Sequence, residues 1–358
     1  MSIIAAKDYP IVLKEKGYTL LNEHLLTSKY STLFILVDSN THEHCLAHFL
    51  SNLETGVTIE IIEIDAGEDF KNIETCSGVW AALSELNGDR KSLMINVGGG
   101  VVTDLGGFVA CTFKRGIDYV NVPTSLLAMV DASVGGKTGV DLGTLKNQIG
   151  VISNPKMVLV DPWFLGSLSL MELRSGYAEM LKHGLIADYS YWLDLNTNRY
   201  DNLDSVSQLI ERSIEIKNSI VLEDPREHNV RKTLNYGHTL GHAIESYFME
   251  KGSNHRLLHG EAIAIGMILA SFISKEISGL PNEQLNEITK GILQYYDKVT
   301  FTQEDIEAIL ELLIYDKKNS HGQIYFVLLK KIGEPLTDQK VTNDTIYGAF
   351  DFYKSFSK

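Results

Sequence analysis

The first 160 or so residues alternate short apolar runs with longer amphipathic stretches. Five of the runs are rich in Val, Ile and Leu and have the length of buried strands. They end at Asp38, Asp65, Val97, Pro123 and Asp161. Helical patterns such as EDFKNIETCSGVWAALSEL separate them. This alternation predicts a mainly parallel α/β sheet, in which ligands bind beyond the carboxyl ends of the strands.

The pattern changes at about Pro162, after which helical periodicity continues to the C-terminus. One stretch, GEAIAIGMILASFISKEI, is apolar on nearly every face. Such a composition is typical of a helix that is buried on all sides. We therefore predict an α/β domain over residues 1–161, followed by an all-helical domain over residues 162–358.

A row of polar side chains lies in the helical half, between Glu227 and Glu261. Its members are three or four residues apart, so they would share one face of a continuous helix; they are Glu227, Arg231, Asn235, His238, His242 and Glu245. His259 follows in a predicted short loop. Imidazoles joined by a carboxylate are typical ligands of catalytic zinc, and we select Glu179 as the carboxylate. The alternatives are ordinary hydrogen-bonded histidines and a surface ion pair between Glu179 and Lys182.

Two glycine-rich segments in the first half have the composition of anion-binding turns. The first, GGG, follows the strand SLMINV and precedes a predicted helix. Backbone amides there can approach a pyrophosphate, and a helix N-terminus favours its charge. In the second segment, VGGKTG, the glycine backbone and the Lys137 side chain together can bind an anionic group. A tight strand-to-helix turn and a solvated loop are the respective alternatives.

Composition narrows the class of protein. The chain has 358 residues, of which 44% are hydrophobic and 22% charged, as in ordinary globular proteins. A formal net charge of −14 argues against broad binding to nucleic acid or to anionic membranes. The three cysteines lack CxxC spacing and fit reduced thiols. Neither a signal-peptide pattern nor a membrane-spanning apolar run is present, so we predict a cytoplasmic protein.

Several segments between about residues 95 and 270 resemble 3-dehydroquinate synthases. They are GGGVVTDLGGFVA, VPTSLLAMVDASVGGKTGV, LKNQIG, SGYAEMLKHGLI, IKNSIVLEDPRE, LNYGHTLGHAIE and LHGEAIAIGM. The resemblance implies a Rossmann-like NAD-binding domain followed by a metal- and substrate-binding domain. It also implies a homodimer that acts in the shikimate pathway on a small sugar acid phosphate.

The same resemblance implies roles for individual residues. Zinc, or cobalt in its place, would be held by Glu179, His238 and His259. The implied NAD contacts are Asp38, Asn40, Glu68, Lys71, Gly99, Gly100, Val101, Asp104, Thr124, Ser125, Lys146, Phe164, Leu165, Gly166 and Ser167. The implied substrate contacts are Arg115, Asp131, Lys137, Asn147, Lys182, Lys217, Glu227, Arg231, Asn235, His242 and Lys317. Arg115 is implied to reach a neighbouring subunit, and Ser175 stands where some members have an asparagine near the nicotinamide.

The implied reaction converts 3-deoxy-D-arabino-heptulosonate 7-phosphate to 3-dehydroquinate and phosphate. NAD takes a hydride from C5, phosphate is eliminated, the hydride returns, the ring opens, and an intramolecular aldol step closes the carbocycle. His242 and Glu227 are candidates for proton transfer, although the departing phosphate can itself act as the base. The alternatives are another sugar phosphate cyclase of the valiolone or scyllo-inosose synthase type, a metal-dependent polyol dehydrogenase, and a non-catalytic protein that binds metal and nucleotide.

Overall fold

The computed structural model describes residues 3–143, 145–197, 203–252, 257–313 and 324–357. The chain divides into two compact units, Met1–Ser169 and Leu170–Lys358. The sequence analysis placed its domain boundary earlier, after Asp161. In the structure, the short helical turn Pro162–Ser167 therefore belongs to the first unit.

The described residues of the first unit form nine strands. They are β1 (Ile3–Ala5), β2 (Pro10–Leu13), β3 (Thr32–Asp38), β4 (Thr58–Ile64), β5 (Leu93–Gly98), β6 (Asp118–Pro123), β7 (Lys137–Leu142), β8 (Leu145–Ile152) and β9 (Met157–Val160). Seven of them form one sheet in the order β1-β2-β9-β6-β5-β3-β4, which is parallel except for the pair β1 and β2. The five predicted strands are confirmed as β3, β4, β5, β6 and β9. The two N-terminal strands were missed because they are only three and four residues long.

Five helices accompany this sheet: α1 (Glu15–Thr27), α2 (Ser39–Thr41), α3 (Ala47–Ser51), α4 (Ile73–Glu85) and α5 (Gly100–Thr112). Helix α5 lies unusually close to the sheet. A Cβ at Gly106 would overlap Asn96 Oδ1 on β5 and would lie 2.8 Å from the Leu36 side chain on β3. The glycine therefore lets the helix pack on strand residues, and the core here includes the fully buried Leu105 and Val109.

The remaining strands β7 and β8 pair as an antiparallel hairpin that packs on α5. Lys137, predicted to lie in a glycine-rich turn, is the first residue of β7. The hairpin exposes Leu142, Leu145 and Ile152, each with more than 40% of its surface accessible. Strand β8 carries few buried positions, which explains why the alternation of apolar residues did not predict it.

The second unit consists mainly of helices. They are α6 (Leu170–Ala187), α7 (Tyr189–Thr197), α8 (Leu203–Glu223), α9 (His238–Glu250), α10 (His259–Ser278), α11 (Asn282–Leu293), α12 (Gln303–Leu313) and α13 (Asn343–Ser355). It also contains an antiparallel hairpin of β10 (Ile324–Lys331) and β11 (Glu334–Val341). The prediction of an all-helical second domain is therefore wrong in this segment. Strand β11, EPLTDQKV, is mostly solvated and lacks the apolar run that is typical of a buried strand.

Two predicted helices are interrupted in the structure. The stretch MELRSGYAEMLKHGLIADYSYWL forms α6 and α7, and Asp188 lies between them with its carboxylate accepting a bond from Tyr191 N at 3.2 Å. The continuous helix predicted from Glu227 onward is also wrong, because Gly237 has a φ of +79° and α9 begins only after it. Across the described ranges, no helix is both long and apolar enough to span a membrane.

Candidate functional site

The carboxylate of Glu179 lies at the centre of the polar cluster in the second unit. Helix α6 buries it completely, and its Oε1 is 3.3 Å from His238 Nε2 and 3.5 Å from His259 Nε2. That oxygen accepts no hydrogen bond from the part of the chain that the structure describes. Tetrahedral zinc with bonds of 2.0–2.2 Å keeps its ligand atoms about 3.3 Å apart. The three side chains therefore have the chemistry of a zinc or cobalt site, and Glu179 Oε1 lies at a suitable distance from both imidazole nitrogens.

Each of these three side chains also has an outer partner. Lys182 Nζ binds the other carboxylate oxygen of Glu179. His238 Nδ1 is 3.1 Å from the carbonyl oxygen of Tyr236, and His259 Nδ1 is 3.1 Å from Glu245 Oε2. Both rings thus turn Nε2 toward Glu179. Metal-binding histidines are commonly held in this way through the second ring nitrogen.

The electrostatics keep this carboxylate ionised. Burial alone would raise the pKa of Glu179, but Lys182 and then His238 hold the pKa well below its usual range. Burial lowers the pKa of His238, so that imidazole favours its neutral form. These are the protonation states that a divalent metal requires of Glu179 and His238. Burial would lower the pKa of His259, but Glu245 and then Glu179 raise it to about 10, so a metal would displace a proton from that ring.

His242 is a neighbour of the same cluster. Its ring centroid is 5.1 Å from that of His238 and 5.8 Å from that of His259. Ligand atoms of the three histidines lie within 4.8 Å of one another, so His242 is an alternative third ligand. Glu179 Oε1 lies 3.3 Å from His238 Nε2 and 3.5 Å from His259 Nε2, which is also within 4.8 Å, so Glu179 stays the predicted third ligand.

Glycines bring the two histidine-bearing helices together. A Cβ at Gly237 would lie 2.9 Å from Met267 N, and one at Gly241 would lie 2.7 Å from the Ile263 side chain. Gly237 directly precedes α9 and Gly241 lies within it, and both contacts are made with α10. Because neither position has room for a side chain, α9 and α10 pack backbone to backbone, and His238 reaches the start of α10, where His259 lies.

The polar residues that precede α9 form a loop and a short helical turn, Val230–Asn235. Glu227 has a φ of +60°, and its Oε1 accepts a bond of 2.6 Å from Asn235 Nδ2. Arg231 is buried and donates to the carbonyl of Pro225 at 2.8 Å. Lys217, on α8, is also buried. Glu227 and Asn235 are therefore in contact even though they are not on one helix with His238.

Asp224 is a residue whose role the sequence analysis missed. Its carboxylate accepts backbone bonds from His228 at 3.0 Å, Asn229 at 2.6 Å and Arg231 at 3.2 Å. Burial would raise its pKa, but these amides lower the pKa below its ordinary value. Asp224 thus fixes the loop that carries Glu227 and Arg231. The sequence signal for this role was an acidic residue that directly precedes a proline at the end of a helix.

A second polar cluster lies in the first unit, and it unites five of the predicted residues. Lys71 Nζ is 2.7 Å from Asp104 Oδ2 and 2.8 Å from Asn147 Oδ1, and Lys146 Nζ is 3.5 Å from Glu68 Oε1. Burial alone would lower the pKa of Lys71, but Asp104 and then Glu68 raise it above its ordinary value. Lys71 is therefore a fixed cation at this position.

The glycine turn after β5 lies beside the residues that follow β6. Thr124 N donates to the carbonyl of Gly98 at 2.9 Å. A Cβ at Gly99 would come within 3.4 Å of Ser125 Oγ, so a side chain would fill the space in front of the turn. Gly100 and Val101 begin α5, whose first amides have no partner within the helix. A bare turn at a helix N-terminus fits the pyrophosphate of a dinucleotide.

Other predicted residues of the first unit take separate positions. Asp38 caps α2 by accepting a bond of 2.8 Å from Thr41 N. Asn40 and Arg115 are exposed, and Asp131 is partly exposed in the helical turn Ala128–Ala132. Phe164 and Leu165 are buried in the turn Pro162–Ser167, whereas Gly166 and Ser167 are exposed. Lys317 lies outside the described residues.

Comparisons with known proteins agree with this architecture. The family model of the 3-dehydroquinate synthase N-terminal region matches residues 61–175, and that of the C-terminal region matches residues 176–319. The 3-dehydroquinate synthase of Parabacteroides distasonis is 40% identical over 339 residues, which cover 93% of this chain and 94% of that protein. The chain belongs to the 3-dehydroquinate synthase family.

Solved structures of sugar phosphate cyclases share the fold. A 2-deoxy-scyllo-inosose synthase complexed with carbaglucose-6-phosphate, NAD+ and Co2+ superposes with a TM-score of 0.85 at 24% identity, and 98% of each chain is covered. The 2-epi-5-epi-valiolone synthase of Streptomyces hygroscopicus, with NAD+ and Zn2+ bound, gives a TM-score of 0.84 at 24% identity over 99% of each chain. The predicted fold class, an α/β domain followed by a helical one, is confirmed apart from the β10–β11 hairpin in the second unit.

Proposed function

We propose that this protein is a 3-dehydroquinate synthase, which converts 3-deoxy-D-arabino-heptulosonate 7-phosphate to 3-dehydroquinate and phosphate. The observation that carries the proposal is the spacing of Glu179, His238 and His259, which suits a divalent metal. It occurs in a chain whose relatives at 40% identity carry this name. The proposed cofactors are NAD and zinc, with cobalt as a substitute. Bound metal would polarise the substrate's hydroxyl groups, and NAD would accept and return a hydride.

The NAD residues are those of the first unit. The amides at the start of α5 bind the pyrophosphate, since Gly99 leaves the turn open beside Ser125. Lys71 and Asp104 fix the cluster that includes Asn147 and contribute polar groups toward the cofactor. The remaining proposed contacts are Asp38, Asn40, Glu68, Gly100, Val101, Thr124, Lys146 and the segment 164–167.

The substrate carries a carboxylate and a phosphate, and buried cations are the groups that recognise such anions. Lys217 and Arg231 are both at least 95% buried in a protein whose net charge is −14. Their positive charge is the sign that a carboxylate or a phosphate requires, so we assign both side chains to the anionic groups of the substrate. Lys137, Asn147 and Asn235 would hold anionic intermediates, and the role of Lys317 remains an expectation.

Proton transfer is assigned to His242 and Glu227. Asn235 orients Glu227 through the bond of 2.6 Å, and we assign to this carboxylate the exchange of a proton with the substrate. His242 lies beside the proposed metal ligands and can act there through water. If the departing phosphate is the base, both side chains orient the substrate instead.

The test is a mixed assay with purified protein, zinc, a catalytic amount of NAD and the heptulosonate phosphate. Equal yields of phosphate and dehydroquinate without net NADH are expected. Stoichiometric NADH would instead indicate a polyol dehydrogenase. Turnover only with another sugar phosphate would indicate a different cyclase, and no turnover on any phosphosugar would indicate a binding protein.

We also propose a homodimer, in which Arg115 serves the partner's site. Lys114, Arg115 and Gly116 have φ values of +48°, +71° and +113°, so the exposed arginine stands on a strained turn. The exposed apolar side chains of the β7–β8 hairpin offer surface that a second copy can cover. Sedimentation should give a dimer, and mixing inactive Arg115→Ala with inactive Glu179→Gln should restore activity. A monomeric, fully active protein would contradict this proposal.

A cytoplasmic location is part of the proposal. The three cysteines are free thiols, and Cys45 and Cys76 are buried. Reduced thiols of this kind persist in a reducing compartment. Fractionation of cells that express the protein should recover it with cytoplasmic markers.

A further inference from the structure

The ring of His259 lies between two carboxylates. Its Nε2 is 3.5 Å from Glu179 Oε1, and its Nδ1 is 3.1 Å from Glu245 Oε2. Glu245 is 6% exposed and projects from α9, the helix that also carries His238. The two nitrogens of an imidazole point away from each other across the ring, so an ion at one nitrogen cannot also be bound by a carboxylate at the other. Glu245 is therefore placed as a partner of the ligand rather than as a ligand.

The backbone of His259 is already fixed by its own neighbours. Gly260 N donates to Ser175 Oγ at 3.0 Å, and a Cβ at Gly260 would overlap the Ser175 carbonyl. Glu261 accepts a bond of 2.5 Å from Arg174 and one of 2.9 Å from Leu258 N. These contacts hold the first turn of α10, and the orientation of the imidazole ring is the freedom that remains.

The two histidines differ in what holds their outer nitrogen. The partner of His238 is the Tyr236 carbonyl, which belongs to the backbone and is present whatever the side chain. The partner of His259 is a side chain that a single substitution removes. A carboxylate at Nδ1 fixes the tautomer with hydrogen on Nδ1, leaves the lone pair of Nε2 for a metal, and makes that lone pair more basic.

We propose that Glu245 is a positioning residue of the metal centre, which sets the tautomer and the orientation of His259. This inference rests on the proposed function, because it assumes a metal at Glu179, His238 and His259. Glu245 is not one of the three proposed ligands, and its membership of the polar row gave it no role of its own. Its contribution is made through His259, so its loss is expected to weaken metal binding while the three ligands stay in place.

The experiment compares the zinc affinity of metal-free proteins by competition with a chromophoric chelator. Glu245→Ala is expected to weaken zinc binding about 10- to 100-fold, the range known for outer partners of metal-binding histidines. Glu245→Gln keeps an acceptor of the same shape without the charge, so a smaller loss is expected. Glu250→Gln is the matched control, because Glu250 lies on the same helix but is exposed. Its affinity should equal that of the unmodified protein.

Two further measurements distinguish a positioning role of Glu245 from a purely structural one: the stability of the metal-free variants and the absorption spectrum of bound Co2+. Unfolding of each metal-free variant is followed in urea, and the absorption of bound Co2+ reports ligand geometry. If Glu245 positions His259, Glu245→Gln should bind zinc more weakly and give an altered cobalt spectrum, even where that variant is as stable as the unmodified protein. Unchanged zinc affinity in both Glu245 variants, with only the stability lowered, would overturn the inference. If the unmodified protein retains no zinc, the proposed metal site itself is refuted.

Discussion

Substitution of Lys182 by methionine tests the charge balance of the buried cluster. Lys182 is 1% exposed and pairs with Glu179, which is 0% exposed. Methionine has a similar length and no charge, so Lys182→Met keeps the packing of α6 and leaves the carboxylate buried without its cation. The loss of one partner from a buried ion pair typically costs about 3–5 kcal/mol. We expect this loss in the metal-free protein.

Bound zinc should reduce the loss of stability in Lys182→Met. A divalent ion at Glu179 Oε1 supplies positive charge to the same carboxylate, so the variant with zinc bound should lose less than half of that stability. In a unit of this size, 1 kcal/mol corresponds to about 2–4 °C in Tm. The metal-free variant should therefore melt about 6–20 °C below the metal-free unmodified protein, and the gap should narrow when both are saturated with zinc. Calorimetry and urea unfolding, each with chelator and with zinc, provide the measurement.

Lys275→Met is the matched control for this prediction. Lys275 pairs with Glu276 at the surface, where the two side chains are 38% and 43% exposed. Surface pairs contribute at most about 1 kcal/mol, so this variant should lose little, with or without zinc. An equal loss for Lys182→Met in both metal states would refute the reasoning that zinc and Lys182 neutralise the same carboxylate. A loss below about 1 kcal/mol in the metal-free state would show that the pair is not buried as described.

Three further predictions concern other parts of the chain. Gly106→Ala should lower the free energy of unfolding by about 1–3 kcal/mol in urea, because its Cβ would overlap Asn96. Lys71→Met should weaken NAD binding about tenfold in a fluorescence titration, because two charge-assisted hydrogen bonds of the cluster are lost. Burial would raise the pKa of Asp305, but Lys251, Tyr247 and the Thr302 amide hold it below its ordinary value, so its stabilisation is present at neutral pH and lost as pH falls. Asp305→Asn should therefore be least stable, relative to the unmodified protein, at neutral pH.

Each of these predictions has a control or a contrary result. Gly78→Ala should gain stability, since nothing lies within 4 Å of its added Cβ and alanine is the better helix former. A similar gain for Gly106→Ala would contradict the close packing of α5. Unchanged NAD affinity in Lys71→Met would remove Lys71 from the cofactor site. A stability difference for Asp305→Asn that stays constant down to pH 3 would show that the carboxylate charge is not responsible.

The strands of the main sheet were predictable where both faces are buried. Runs such as LFILVD and SLMINV are apolar at consecutive positions, as a central parallel strand requires. Strands with one solvated face escaped the prediction. Strand β11 alternates exposed and partly buried residues, and β8 is mostly exposed. Their positions depend on the partner strand, which a local pattern does not report.

The helix that was expected to carry the whole polar row shows why spacing alone was insufficient. Intervals of three and four residues from Glu227 to Glu245 suit one helix, but the backbone leaves helical geometry at Gly237. Only the part from His238 onward keeps the predicted face. The contact between Glu227 and Asn235 arises instead from a loop that Asp224 organises, and its backbone bonds span up to seven residues.

Glu179 could be selected from the sequence because carboxylate and imidazole are chemical types that the sequence displays. Its Oε1 lies 3.3 Å from His238 Nε2 and 3.5 Å from His259 Nε2, and its role as a metal ligand stays a prediction. The outer partners could not be predicted in the same way. The Tyr236 carbonyl leaves no mark on the side-chain pattern, and Glu245 reaches His259 only because α9 packs on α10 through Gly237 and Gly241. The glycines of LNYGHTLGHAIE therefore set the distance between the two helices, while its histidines are the proposed ligands. A side chain at either glycine would move His238 away from His259, so this segment specifies both the helix packing and the spacing of the proposed ligands.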